Sequence, residues 1–202
     1  MPIVAKLRAS WGNDSFTADL GFLEEMVQRV LSSRGPFLDC GSGISTVILA
    51  ALASSDDRVW SLEQDEQWYH EMRDWLALLN LHNVELLLAP LRISGNAVWY
   101  SFDHALFPAK FPLVVCDGPS VRRSFWPDEI FRSWRAGVVP ELRRRNVSFE
   151  TIILDDAHDQ RCVALIDVWR TAGLHVDTVA TAHGSHLVAS NVEGRRAEEG
   201  RP

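Results

Sequence analysis

The chain has 202 residues, 47% of them hydrophobic, and a formal net charge of -7. That length suits one domain with enough apolar material for a sizeable core, and the acidic balance argues against a nucleic-acid backbone as partner. No apolar run approaches a membrane span, and Met1 to Ser10 is too broken in its apolar pattern for a signal peptide, so no membrane partner is expected.

Residues 1–16 show no clear period. They read as a turn-rich lead-in around Trp11-Gly12-Asn13-Asp14, able to fold over a crevice as a lid or to pack on the outside. Thr17 to Leu31 has helical spacing, with Leu20, Leu23, Val27, Val30 and Leu31 on one face and Ser15 or Thr17 as cap. Phe37 to Cys40 reads as a strand and Ile44 to Ala53 as the helix after it. Arg58 to Leu62 is a second strand, closed by Glu63. Asp65 to Leu79 is a helix whose stripe of Trp68, Met72, Trp75, Leu76 and Leu79 should be buried.

Val84 to Leu88 is a third strand. The connection Pro90 to Pro112 is too long for an ordinary loop, which predicts a functional loop or a short extra element. Leu113 to Cys116 is a fourth strand, ending in Asp117-Gly118-Pro119, and Val121 to Glu129 is a loop. A helix from about Ile130 to Arg145 should kink or break near Val139, because Pro140 lies within it. Phe149 to Leu154 is a fifth strand, followed by Asp155-Asp156-Ala157-His158 and a helix from Asp159 to Thr171 that buries Cys162, Leu165, Ile166 and Trp169. Leu174 to Ala180 and His186 to Ala189 form a hairpin across His183-Gly184-Ser185.

Apolar strands joined by helices are the mark of a parallel sheet covered on both faces. The expected class is therefore α/β: a Rossmann-like parallel sheet with helices on both faces and a C-terminal antiparallel strand pair. Residues 1–190 make a single domain and 191–202 a flexible tail. The three cysteines, Cys40, Cys116 and Cys162, each sit in an apolar segment, which fits buried thiols in a reducing compartment and a cytoplasmic location. The run Arg143-Arg144-Arg145 reads as a solvated helix end favoured by the dipole.

The chemistry gathers where strands end. Gly41-Ser42-Gly43 makes a small-residue turn between the first strand and its helix, where glycine permits close approach and free helix amides face a ligand. In open α/β sheets ligands bind outside the carboxyl ends of the strands. Four of the five strand ends carry acids: Asp39, Glu63, Asp117 and the pair Asp155-Asp156, with Ala89 at the third. Glu63, 24 positions after Asp39, suits a bidentate grip on the two hydroxyls of a ribose. A dinucleotide turn would want a third glycine where Thr46 stands, and Asp39 would oppose its pyrophosphate.

On these residues the chain resembles class I S-adenosylmethionine-dependent methyltransferases of the small bacterial type. Phe37-Leu38-Asp39-Cys40-Gly41-Ser42-Gly43 looks like their first motif, Glu63 like their ribose-binding acid, and Phe111 to Pro119 like their fourth-strand motif. The resemblance covers about residues 20 to 190 in element order. It departs from the pattern at Ser45, where the motif has a glycine, and at Ala89, where the family often has an acid for the adenine amine. It implies S-adenosylmethionine as cofactor. Gly41, Ser42 and Gly43 would border its methionine part, Asp39 would hold the turn or the ammonium, Glu63 the ribose, and Ala89 to Leu91 the adenine, with Asp117 alongside.

A partial resemblance to catechol-type O-methyltransferases bears on a metal. There an acid after the fourth strand joins an Asp-Asn pair after the fifth to hold magnesium. Asp117 and Asp156 match two of those positions, Ala157 replaces the asparagine, and Asp155 could substitute, since a hard cation accepts carboxylate oxygens. The metal-free alternative sets Asp117 or Asp156 near the acceptor with His158 as general base. His104, His183 and His186 read as turn or surface residues. Trp99, Tyr100, Phe107, Phe125, Trp126 and Trp11 could wall an acceptor pocket or simply tie long loops to the domain, and Arg122 and Arg123 could meet an acidic group.

The expected activity is methyl transfer to a small molecule, with oxygen as the acceptor atom and a homodimer left open. Competing readings are an NAD-dependent oxidoreductase, a catalytically silent cofactor-binding domain, and aminopropyl transfer from the decarboxylated cofactor.

Overall fold

The computed structural model describes residues 1–12, 17–94, 97–102, 107–120, 135 and 137–191. In chain order these form α1 (Pro2–Trp11), α2 (Leu20–Ser32), β1 (Phe37–Cys40), α3 (Ile44–Leu52), β2 (Val59–Glu63), α4 (Glu66–Leu78), β3 (Val84–Leu88), β4 (Leu91–Ser94), β5 (Ala97–Tyr100) and β6 (Lys110–Cys116). Then come α5 (Val138–Arg144), β7 (Ser148–Leu154), α6 (Gln160–Thr171), β8 (Leu174–Thr181) and β9 (Gly184–Asn191). Seven strands make one sheet in the order β3-β2-β1-β6-β7-β9-β8, while β4 and β5 stand apart as an antiparallel pair. Pairing is parallel from β3 through β7, and β9 runs antiparallel to both β7 and β8. This is the expected α/β class with its C-terminal antiparallel pair.

Alternation along the strands assigns the two faces. Phe37 of β1 with Leu113 and Val115 of β6 pack under α2 and α3, against Phe22, Leu23, Met26, Ile48 and Leu49. Leu38, Cys40, Val114 and Cys116 point the other way, into a cluster with Val138 and Leu142 of α5 and Leu165 and Trp169 of α6. All three cysteines are buried thiols outside any disulfide, as their apolar segments suggest. Because β1 lies between β2 and β6, strand order reverses at β1, and a crevice opens above the carboxyl ends of β1 and β6.

Several local expectations need correction. Pro2–Trp11 of the lead-in is a helix, α1, with Val4 as its one buried side chain, so its sequence carries almost no amphipathic signal; residues 13–16, with Asn13, Asp14 and the possible cap Ser15, lie outside the described residues. The insert between β3 and β6 holds the β4–β5 hairpin, the extra-element alternative. Its aromatics are core: Trp99 and Tyr100 are fully buried, and Phe107 packs on Trp60, Phe102 and Phe111. A helix start at Val138 agrees with the expected break near Val139, and most of the expected helix before it lies outside the described residues. α5 begins at Val138, so Pro140 falls in the first turn, where its missing N–H has no intrahelical partner to lose.

On α4 only Met72 and Leu76 are buried, and Trp75 is 47% exposed. Trp75 instead meets Trp11 of α1, with ring centroids 6.0 Å apart. The basic run is a helix end as expected, with Arg143 and Arg144 exposed in the last turn, but it is not merely solvated. Arg144 and Arg145 both reach the buried Glu141, which Arg92 also contacts, and Arg145 stacks over Phe102. His186 is buried against Phe22, and burial lowers its pKa, so it is a core residue and not a surface one.

Residues 121–134 lie outside the described residues, and with them Arg122, Arg123, Phe125, Trp126 and the first part of the expected helix. The same holds for His104 and for the tail from 192. Among the described residues, no helix is long and apolar enough to cross a membrane.

Candidate functional site

At the end of β1 the chain turns through Gly41, whose φ of 104° lies in the left-handed region. A side chain there would strike Gly118, with the backbone nitrogen 2.7 Å from the added carbon. Gly41 and Gly118 thus let two strand ends touch, and the Gly118 amide donates to the Cys40 carbonyl at 2.6 Å. Gly43 differs: its φ of 173° is extended backbone, and a side-chain carbon added there would meet nothing within 4 Å.

Beneath this turn sits Asp39, completely buried. Its carboxylate accepts from three hydroxyls: Ser45 at 3.1 Å, Thr46 at 2.5 Å and Ser61 at 3.0 Å. Burial pushes its pKa up to about 7, and the hydroxyls pull it back only in part. Thr46 also accepts from the Gly43 amide at 2.9 Å, so one hydroxyl links the carboxylate to the turn. Thr46 stands where a dinucleotide turn would have glycine, and here it braces the bend. Asp39 therefore orders the turn and is absent from the walls of the cavity above it.

That cavity, about 490 Å³, is lined by Gly41, Ser42, Gly43, Glu63, Asp117 and Gly118. Glu63 is only 5% exposed yet reaches the cavity. One carboxylate oxygen accepts from the Asp65 amide at 2.9 Å and the other from the Ser42 hydroxyl at 2.5 Å. Burial raises its pKa, and these hydrogen bonds oppose the rise. On the α4 side, Asp65 caps the helix by accepting from the Trp68 amide, and the Trp68 indole donates to the Ser42 carbonyl at 2.9 Å.

Most of this wall was not foreseen: Gln64, Asp65, Gln67, Trp68 and Glu71 line the cavity, together with Trp11 of α1, which the sequence did offer as a pocket wall. The signal available was the position of α4 directly after Glu63, which turns one face of its first turns toward the crevice. Ala89 and Leu91 lie off the lining. Ala89 is fully buried, with its amide on the Glu63 carbonyl, and Leu91 packs against the core. Tyr100 also lies behind the wall. Its buried hydroxyl sits against Gly118 with no hydrogen-bond partner among the described residues.

The acids at the ends of β6 and β7 meet a residue that the sequence did not single out. Arg135, with a side chain 4% exposed, runs between them. One guanidinium nitrogen donates to the Asp155 carbonyl at 3.0 Å and lies 3.1 Å from a carboxylate oxygen of Asp156. The other donates to the Asp117 carbonyl and lies 3.5 Å from its carboxylate. Burial works against this charge, but Asp117 and Asp156 outweigh it and raise the Arg135 pKa.

Burial likewise pushes Asp117 up to about 7 and Asp155 up to about 6. The Asp155 carboxylate is taken by backbone, accepting from the Asp19 amide at 2.7 Å and the Asp156 amide at 2.8 Å. Of the three candidate catalytic groups, Asp117 lines the cavity, while Asp156 and His158 do not. His158 is exposed on the turn before α6.

No known family profile matches the chain, and no curated protein matches its sequence. Solved structures do match it. The O-methyltransferase TomG from Streptomyces achromogenes, solved in complex with SAM, aligns with a TM-score of 0.59 at 14% identity, over 93% of this chain and 88% of its own. A methyltransferase from Geobacter sulfurreducens gives 0.60 at 13%, over 95% and 90%. The ribosomal protein L11 methylase from Lactobacillus delbrueckii gives 0.56 at 12%, over 84% and 77%. The chain thus has the fold of S-adenosylmethionine-dependent methyltransferases.

Proposed function

We propose that this protein transfers the methyl group of S-adenosylmethionine to a small-molecule acceptor, at a hydroxyl oxygen. The observation that carries the reading is Glu63, a nearly buried carboxylate in the wall of a glycine-lipped cavity. Its two oxygens are spread between a backbone amide and the Ser42 hydroxyl, and a ribose diol can take over the second place. A carboxylate at Glu63 in the wall suits a sulfonium and an ammonium and opposes a pyrophosphate. The O-methyltransferase among the matching structures supports oxygen as the acceptor atom.

The sulfonium is already activated, so the protein's work is to aim the acceptor in line behind the methyl group and keep water out. Asp117, in the cavity wall beside Gly118, is placed to orient the acceptor or take its proton.

Calorimetry with S-adenosylhomocysteine and with NAD tests the reading. S-adenosylhomocysteine should bind and NAD should not. Glu63→Ala should weaken product binding by about 100-fold, the worth of hydrogen bonds to a charged group. Binding of NAD alone would overturn the reading, and unchanged affinity in Glu63→Ala would remove the ribose grip.

A further inference from the structure

A divalent ion at the ends of β6 and β7 needs oxygen donors turned toward a common point, and a positive charge already seated between those donors repels it. The acids that the sequence offers do not meet this demand. Both carboxylate oxygens of Asp155 already accept from backbone amides, of Asp19 and of Asp156. Asp117 and Asp156 both face the guanidinium of Arg135, which lies between them and also takes the carbonyls of Asp117 and Asp155. Among the described residues, no three His, Cys, Asp or Glu side chains converge to hold a metal ion.

We propose that Arg135 is the resident cation of this acid cluster and that the site takes no divalent metal. It is a positioning residue: at 4% exposure its side chain is set behind the carboxylates, and it fixes Asp117 at the cavity wall by gripping both carbonyl and carboxylate. The consequence for the acceptor is specific. A magnesium ion offers open coordination places that can hold two neighbouring oxygens of one substrate, whereas a buried guanidinium offers none. The acceptor therefore needs no chelating second hydroxyl beside the reacting one. This consequence rests on the methyltransferase reading; the identity of the cation does not.

The test is titration of manganese(II) into the full chain, followed by electron paramagnetic resonance, on wild type, Asp156→Asn, Arg135→Ala and the double variant. Wild type and Asp156→Asn should both leave manganese free at about 1 mM, the weak limit of built carboxylate sites. Arg135→Ala uncovers Asp117 and Asp156. It should bind one manganese at least about tenfold more tightly than wild type, and lose that gain with Asp156→Asn.

A stoichiometric wild-type site that Asp156→Asn abolishes would overturn the proposal, and so would a folded Arg135→Ala that binds no better than wild type. If Arg135→Ala does not fold, the wild-type and Asp156→Asn titrations decide alone. Calorimetry with S-adenosylhomocysteine on the same wild-type sample keeps the two readings apart, since its failure would remove the methyltransferase and leave the manganese result standing.

Discussion

Asp39 and Asp117 end neighbouring parallel strands, and the protein accommodates the two buried acids by opposite means. Among the described residues Asp39 has no cation beside it; three hydroxyls donate to it, two of them from the helix that begins just beyond the turn. Asp117 has a guanidinium, delivered from Arg135 and shared with Asp156. The first arrangement is local and redundant, so losing one hydroxyl leaves two. The second joins three segments through one side chain. One is scaffold for the turn, and the other is a charge balance at the cavity wall with a single point of failure.

The largest effect should follow from Arg135→Met, which leaves Asp117 and Asp156 facing each other without a counter-charge. Urea unfolding should show a loss of about 3 kcal/mol, as for breaking a buried ion pair by removing one partner. Ser45→Ala at the other acid should cost about 1 kcal/mol, one hydrogen bond of three. A reversed order would break the contrast.

Next in size is Gly41→Ala, at roughly 2 kcal/mol, since it meets both a left-handed φ and the Gly118 backbone.

Below that lies a pH signature. The folded-state pKa of Asp39 is raised from 3.8 to about 7 by burial, so the folded state holds its proton longer than the unfolded chain does. The stability this contributes is fully present below the unfolded value and is lost as pH rises through the folded one. Asp39→Asn should therefore give a flatter stability curve between those two values, by about 1 kcal/mol or more across the window. An unchanged slope would mean that the hydroxyls hold the carboxylate ionised.

The smallest effect on stability, under about 0.5 kcal/mol, should come from Gly43→Ala, because the added carbon meets open space. The same change should weaken S-adenosylhomocysteine by about tenfold, since that open space is where the cofactor's amino-acid end would approach. Gly41 would then serve the chain and Gly43 the ligand.

The sheet was readable because β1 to β3, β6 and β7 are short apolar runs ending in acids or alanine, a pattern that survives without tertiary information. Elements with weak local signals were not. α1 buries one side chain, so no periodicity marks it. The β4–β5 hairpin had a usable cue in Gly95-Asn96 between alternating residues, a two-residue turn signal that a focus on loop length passed over. Within the site, Gly41, Ser42, Gly43, Glu63 and Asp117 do share one cavity, because strand ends are fixed by the sheet. Arg135 could not be read. Nothing in its neighbours distinguishes it from a solvated arginine, and its three partners come together only in the fold.

The most direct measurement is a crystal structure of the full chain with S-adenosylhomocysteine. The ribose hydroxyls should lie on the Glu63 carboxylate and the amino-acid end along Gly41 to Gly43, with the sulfur directed toward Asp117. A ligand seated away from Glu63, or a phosphate held at the Gly41–Gly43 turn, would contradict the account.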